Sequence, residues 1–446
     1  MYWNTNFLNK AASFFLMLLL GGSFTSISQS QPSHVIHEWN QLLTEQMIKD
    51  GFNPLLASRT FAYCNLSLYQ AYSTSSGKTI QLGKVVRGFK FPQKAKTGDI
   101  NFEIAAIQAF YKTAIKHIYR EYAADSLIKK HLNYFRKTGI GESTIKNSLE
   151  LGDSIALACN NRAAADGFAA SKALPNYIFS NQPGKWKPTP PEFRSALEPH
   201  WETLQTFLID SASQFSQSFE IPYSTEKNSD FYSMVHNIYQ TSNELTPEQR
   251  NIALYWDDNP DLNNFVGHIP KPRRHINPVS HWICIIAQFC KHEKYSFEKT
   301  SLVYALCSMA MADAVISVWH DKYKYELVRP VTYIRELIDP DWMPLIVTPP
   351  FPEFTSGHSG ISAAAAQILT AFAGPTYSFT DSTFSIIGLP YLPRTFSSFL
   401  QAADEAGLSR LYGGIHYQNG IQAGNKQGKS IGINILSKVG IPLQPK

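Results

Sequence analysis

Phe351-Pro352-Glu353-Phe354-Thr355-Ser356-Gly357-His358-Ser359-Gly360 runs directly into Ile361-Ser362-Ala363-Ala364-Ala365-Ala366-Gln367-Ile368-Leu369. Pro349, Pro350 and Pro352 exclude helix ahead of the turn, and the alanine run after it favours helix. Thr355, Ser356 and Ser359 are residue types that cap helix N-termini. The stretch therefore reads as a loop that opens a helix. The first turn of a helix leaves backbone N–H groups unpaired and carries partial positive charge, which suits an oxyanion. Gly357 lets a ligand approach that backbone closely, Ser356 adds a hydroxyl, and His358 adds a group that exchanges a proton near neutral pH. Alone this is a weak signal, because many structural helices begin with Ser-Gly.

Around this stretch the pattern is helical. Apolar residues recur at three- and four-residue spacing over 37–49, 54–73, 100–136 and 143–170, and again over 191–210, 246–256, 280–292 and 297–325. Segment 77–98 is the one candidate for extended structure, and 174–191, rich in Pro and Asn, reads as a long loop. At 44% hydrophobic and 17% charged, the 446 residues exclude disorder and supply a large core. The expected fold class is all-α, a large helical bundle over 29–446 with its chemistry concentrated in about 280–446. Segment 302–319 is almost wholly apolar, which raises a transmembrane reading. Asp313 would then sit near mid-bilayer at about 2.5–3.5 kcal/mol, so a helix buried on all sides is the better expectation. Asp313 there needs a buried partner, an Arg or a helix N-terminus.

The termini and charges bound the setting. Lys10 precedes an apolar run from Ala11 to Phe24, followed by small polar residues through Ser30. This fits a secretory signal over 1–28, hence an exported, periplasmic or secreted protein with no membrane span after cleavage; an N-terminal anchor is the competing reading. The five cysteines show no ligand-like spacing and read as core residues. A net charge of +5 is mild for this length. The basic run Lys271 to His275 reads as a solvated loop, so no nucleic-acid partner is expected. Nothing in the pattern excludes a homo-oligomer.

Three clusters bring anion-seeking groups to element ends. In Trp319-His320-Asp321-Lys322-Tyr323-Lys324-Tyr325-Glu326-Leu327-Val328-Arg329-Pro330, Lys322 and Arg329 are seven apart. On a continuous helix ended by Pro330 they share a face about 10 Å apart. The second cluster is the Ser356-Gly357-His358 turn. The third is Ser409-Arg410-Leu411-Tyr412-Gly413-Gly414-Ile415-His416, where Arg410 offers a planar fork for oxyanions and His416 an imidazole nitrogen. Three cations around one tetrahedral anion, at roughly 1.5–3 kcal/mol per charge-assisted bond, suffice for micromolar binding. The motifs lack the carboxylates that a divalent metal wants.

In order and spacing, Lys322-x6-Arg329-Pro330, Ser356-Gly357-His358 and Ser409-Arg410-x5-His416 resemble the three-part signature shared by vanadium-dependent haloperoxidases and type 2 phosphatidic acid phosphatases. The helical remainder, with Tyr255-Trp256-Asp257-Asp258-Asn259-Pro260 and Ser280-His281-Trp282, is similar to the soluble haloperoxidases. The resemblance implies vanadate as cofactor and hydrogen peroxide plus iodide or bromide as substrates, or else a phosphate ester and no cofactor. It implies His416 as the vanadium ligand or phosphatase nucleophile. Lys322, Arg329, Ser356, the Gly357 amide and Arg410 would hold the oxygens, Lys322 would polarise peroxide, and His358 would be the acid–base residue. Trp319 and Phe351 match aromatics beside the halide approach. The sequence departs twice: Thr355 replaces a proline, and Gly420 stands where the signature has an Asp that orients the histidine. Gln418, Asn419 or a backbone carbonyl is expected to take over that task.

Overall fold

A computed structural model of the chain describes residues 33–443, apart from 76–78, 91, 93–97, 261–262, 267–268 and 273. The signal reading over 1–28 lies outside the described residues. Helices α1 (His34–Asp50), α2 (Pro54–Ser73), α3 (Phe102–Ala114), α4 (Tyr122–Lys137), α5 (Glu142–Ala164) and α6 (Phe168–Lys172) form the first half. After a long irregular stretch come α7 (Asp230–Asn243), α8 (Pro247–Tyr255), α9 (Pro278–His292), α10 (Phe297–Tyr325), α11 (Pro330–Leu337), α12 (Gly357–Ala373), α13 (Thr383–Ile386), α14 (Phe399–Tyr412) and α15 (Gln418–Lys438). Two small antiparallel hairpins, β1 (Asn263–Val266) with β2 (Ile269–Pro272) and β3 (Phe379–Asp381) with β4 (Arg394–Phe396), complete the described residues. The protein is all-α, as the sequence predicts.

α10 is the axis of the fold. It is long and apolar enough to cross a membrane, yet its whole apolar window is buried within the protein. It packs on α2 on one side and on α12 and α15 on the other, so a single core cluster runs through both halves. Asp313 in its middle accepts hydrogen bonds from the amides of Phe207 (2.6 Å), Leu208 (2.7 Å) and Ile209 (3.0 Å). The partner is therefore backbone from an irregular segment, rather than an Arg side chain or a helix end.

That bond also explains why 191–210 is not a helix. Its one helical feature is a 3-10 turn, Trp201–Thr203. Trp201, Phe207, Leu208 and Ile209 are buried from an irregular backbone whose amides serve the carboxylate. The expected helix over 100–136 is two helices, interrupted where the backbone turns at His117, which stacks on Tyr63. The helix over 143–170 ends at Ala164, and the buried Asp166 beyond it pairs with Arg59 at 2.8 Å. Segment 77–98 contains a 3-10 turn, Leu82–Lys84, and no strand among its described residues. All five cysteines are free and buried.

Arg329 departs furthest from expectation. α10 ends at Tyr325, with Glu326 in the left-handed conformation (φ 52°). Arg329 is extended and caps α11, and Pro330 begins that helix instead of ending the previous one. Lys322 and Arg329 thus converge from two elements, not from one helical face. Residues 326–328 are held out of the helix by Trp186, whose amide donates to the Glu326 carbonyl at 2.7 Å, and by the Val328 amide on the Gly184 carbonyl at 2.9 Å.

Candidate active site

The predicted turn does open a helix: Ser356 is extended and caps α12, accepting from the Ser359 amide at 3.4 Å and the Ser359 hydroxyl at 2.9 Å. α15 reaches this turn through glycines spaced four apart. A Cβ on Gly424 would meet the Ser356 carbonyl at 2.5 Å, and one on Gly428 would crowd Ala363 Cβ at 2.9 Å and the Gly360 carbonyl still more closely. Behind the turn, Thr355 Oγ1 donates to Gln427 at 2.7 Å, and Gln427 in turn donates to Asp321 of α10 at 2.9 Å. The hydroxyl that replaces the proline therefore ties the loop to two helices.

A cavity of about 50 Å³ lies at the mouth of α12, enough for several waters or one small anion given the roughly 10–15 Å³ that one water needs. Gly357, His358, Arg410 and His416 form part of its wall, with Trp319 and Phe351 against them and Asp257, Asp258, Pro54 and Pro278 among the rest of the lining. Trp319 and Phe351 pack with ring centroids 4.9 Å apart. Lys322, Arg329 and Ser356 stand behind this wall. Lys322 Nζ donates to the carbonyls of Pro352 (3.0 Å), Glu353 (3.0 Å) and Thr355 (2.6 Å). Burial, then the Arg329 charge, push its pKa well down. Three carbonyl acceptors nevertheless call for three protons, which only the ammonium carries.

Arg329 donates from Nε to the Phe351 carbonyl (2.8 Å) and from Nη1 to the Ile415 carbonyl (2.7 Å) and to His416 Nε2 (3.2 Å). Its Nη2 is buried without a partner among the described residues. Arg410 is tied to Ser409 Oγ at 2.9 Å and to the Trp256 carbonyl. His416 Nδ1 lies 2.7 Å from Glu353 Oε1. Nε2 faces a guanidinium donor, so it carries the lone pair and Nδ1 carries the proton. Burial, then the charges of Arg329, Lys322 and Arg410, hold His416 well below the ordinary histidine pKa. His358 is likewise held down by burial, then Arg410 and His281, and its Nε2 has no partner among the described residues.

Two features of the site do not follow from the sequence. The group that meets His416 Nδ1 is Glu353, neither Gln418 nor Asn419 nor a backbone carbonyl. The other is a buried charge group behind the cavity. His281 lies 2.9 Å from Asp258 and 2.8 Å from Asp381, and Asp381 also accepts from Tyr255 at 2.7 Å. Burial alone would lower the His281 pKa; the two aspartates outweigh it and raise it to about 10. The Asp257-Asp258 and Ser280-His281 pairs hold part of this group, but only the fold joins them.

Together these residues set a helix N-terminus, two imidazoles and Arg410 around one cavity in an all-α protein, with Lys322 and Arg329 buried behind them. A family model described as the VCPO second helical-bundle domain matches residues 302–443. Vanadium chloroperoxidase from Curvularia inaequalis is 26% identical over 151 residues, 29% of this chain and 24% of that protein, so the chain matches about a quarter of that relative's length. The crystal structure of the first bacterial vanadium-dependent iodoperoxidase superposes with a TM-score of 0.84 at 35% identity, covering 94% of this chain and 98% of the other. A holo-type bacterial vanadium-dependent chloroperoxidase, 16% identical, shares the fold with a TM-score of 0.63 over 87% of this chain and 93% of its own. The chain belongs to the vanadium-dependent haloperoxidase family.

Proposed function

We propose that the protein is an exported vanadate-dependent haloperoxidase that oxidises iodide or bromide with hydrogen peroxide to hypohalous acid. The observation that carries this is a set of groups beside one cavity: His416 Nε2, whose unprotonated lone pair meets the Arg329 guanidinium at 3.2 Å, and Arg329 Nη2 and His358 Nε2, both buried without partners among the described residues. These fit a tetrahedral oxyanion held at its central atom and its oxygens, because an imidazole lone pair can bind vanadium while guanidinium and amide donors hold oxygens. His416 would be the ligand, and Arg329, Arg410 and the Gly357 amide would hold the oxygens, with Ser356 ordering the turn. When bound, vanadate supplies the Lewis-acid centre at which peroxide becomes reactive toward halide.

The chain's own groups do the rest. His358, neutral because of burial and neighbouring charge, accepts or returns a proton at Nε2. Lys322 adds positive charge from behind the wall; direct contact with a bound oxygen requires Nζ to release one of its three carbonyls. Trp319 and Phe351 narrow the approach and exclude water. Asp257 and Asp258 add carboxylates to the lining, so the site attracts small anions only at its cationic side.

Phosphate is close to vanadate in shape, and a carboxylate-paired imidazole is also what a histidine nucleophile requires, so phosphate-ester hydrolysis through His416 is the competing reading. A paired assay decides. Purified protein is given orthovanadate, peroxide and iodide in one arm, and p-nitrophenyl phosphate without vanadate in the other. Vanadate-dependent iodide oxidation supports the peroxidase. Ester turnover that vanadate inhibits, with no halide oxidation, replaces it by the phosphatase. Export is tested by sequencing the N-terminus of the mature protein: a start near residue 29 supports it, and an intact Met1 opposes it.

A further inference from the structure

Glu353 is wholly buried in the loop ahead of α12, and its two oxygens are used unequally. Oε1 accepts from His416 Nδ1 at 2.7 Å and from the Tyr417 amide at 3.0 Å, whereas Oε2 has no partner among the described residues. Burial raises its pKa to about 7, the charges of Arg329 and Lys322 oppose that rise, and its own carbonyl receives Lys322 Nζ. Facing it, in the first turn of α15, is Gly420. A Cβ there would come within 2.9 Å of Oε2 and closer still to Oε1. Any acidic side chain at 420 would thus collide with Glu353 and set two carboxylates together in a buried site, where like charges repel strongly.

We propose that Glu353 is the positioning residue of this site, a carboxylate supplied by the loop before α12 in place of one from α15, and that Glu353 and Gly420 form one coupled pair. It rests on the reading of His416 as the anion's ligand. By accepting from Nδ1, Glu353 fixes the tautomer that leaves Nε2 for the anion, and it makes the imidazole a better donor. The glycine supplies the room. Neither residue has its value without the other.

The test compares the full-length wild type with Glu353→Ala, Glu353→Gln, Gly420→Asp and the double variant Glu353→Ala/Gly420→Asp. Calorimetry gives the affinities for orthovanadate and for inorganic phosphate, and nitrogen NMR gives the His416 tautomer. Glu353→Ala is expected to weaken orthovanadate binding by about 10–100-fold and to mix the tautomers. Gly420→Asp alone should also weaken binding, and the double variant should recover most of the loss of Glu353→Ala, which a purely structural role would not produce. A folded Glu353→Ala or Glu353→Gln protein with wild-type affinity and a single Nδ1–H tautomer overturns the proposal, as does a double variant no better than the worse single one. If the wild type binds neither anion, the functional reading falls, while the tautomer comparison still decides whether Glu353 positions His416.

Discussion

At the scale of single residues the protein holds charge without water. Asp313 shows the balance: burial raises its pKa to about 6 even though three amides and Arg162 pull the other way. Asp313→Ala leaves those amides unpaired in the core, so a loss of about 3 kcal/mol or more is expected, read as a lower urea midpoint. His358→Ala removes a proton-handling Nε2 but no cation, so kcat should drop by about 10²–10⁴ while orthovanadate affinity changes far less; an unchanged kcat contradicts the acid–base role. The residues of the three motifs are legible in the sequence because their types and spacings are local. Glu353 lies inside the stretch that opens α12 and is not legible there, because its partner is 63 positions away and nothing local distinguishes it from a solvated loop glutamate. The sequence does hold one hint, the carboxylate absent at Gly420.

At the scale of elements, helices with a clear apolar period are legible and those defined by their ends are not. α10 matches its expected span of 297–325, and α9 begins two residues before the expected 280. α11 is hidden because Pro330 reads equally as a stop or as the first residue of a helix. The backbone before it decides: the Glu326 carbonyl accepts from Trp186, the Val328 amide donates to Gly184 and the Leu327 carbonyl accepts from Glu353, and a chain so held cannot continue α10. The contact between α12 and α15 depends on the glycines of α15. Gly428→Ala would drive a methyl into the Gly360 carbonyl and Ala363, and overpacking of this kind costs about 1–3 kcal/mol. Thermal denaturation should therefore show a lower Tm, with vanadate affinity reduced because the Ser356–His358 turn shifts with α12. A variant with wild-type Tm would show that the two helices have slack.

At the scale of the whole molecule, composition and period make the all-α class legible, and Pro and Asn announce the loop over 174–191, but the rest of the irregular stretch, to 229, is not legible. Its hydrogen bonds run to distant side chains, as with Phe207 to Asp313 and Gln217 to Asp321, so no local pattern announces it. The buried His281 group gives the whole fold a pH signature. His281 titrates near 10 in the folded chain against the ordinary 6.5, so its contribution is complete below pH 6.5 and is lost as pH rises toward 10. Each pH step of one between those two values removes at most about 1.4 kcal/mol. Burial would raise the Asp381 pKa, but His281 and its hydrogen bonds bring it to about 2, so its share is present above about pH 3.8 and disappears as pH falls through 2. Urea midpoints should decline between pH 7 and 10 in the wild type and decline less in His281→Gln; parallel curves would contradict the pairing. The central claim, one anion cavity closed by His416, is tested most directly by iodide oxidation measured against added orthovanadate. Activity should saturate at one vanadate per chain and be abolished in a folded His416→Ala protein. Activity independent of vanadate, or equal in that variant, would contradict it.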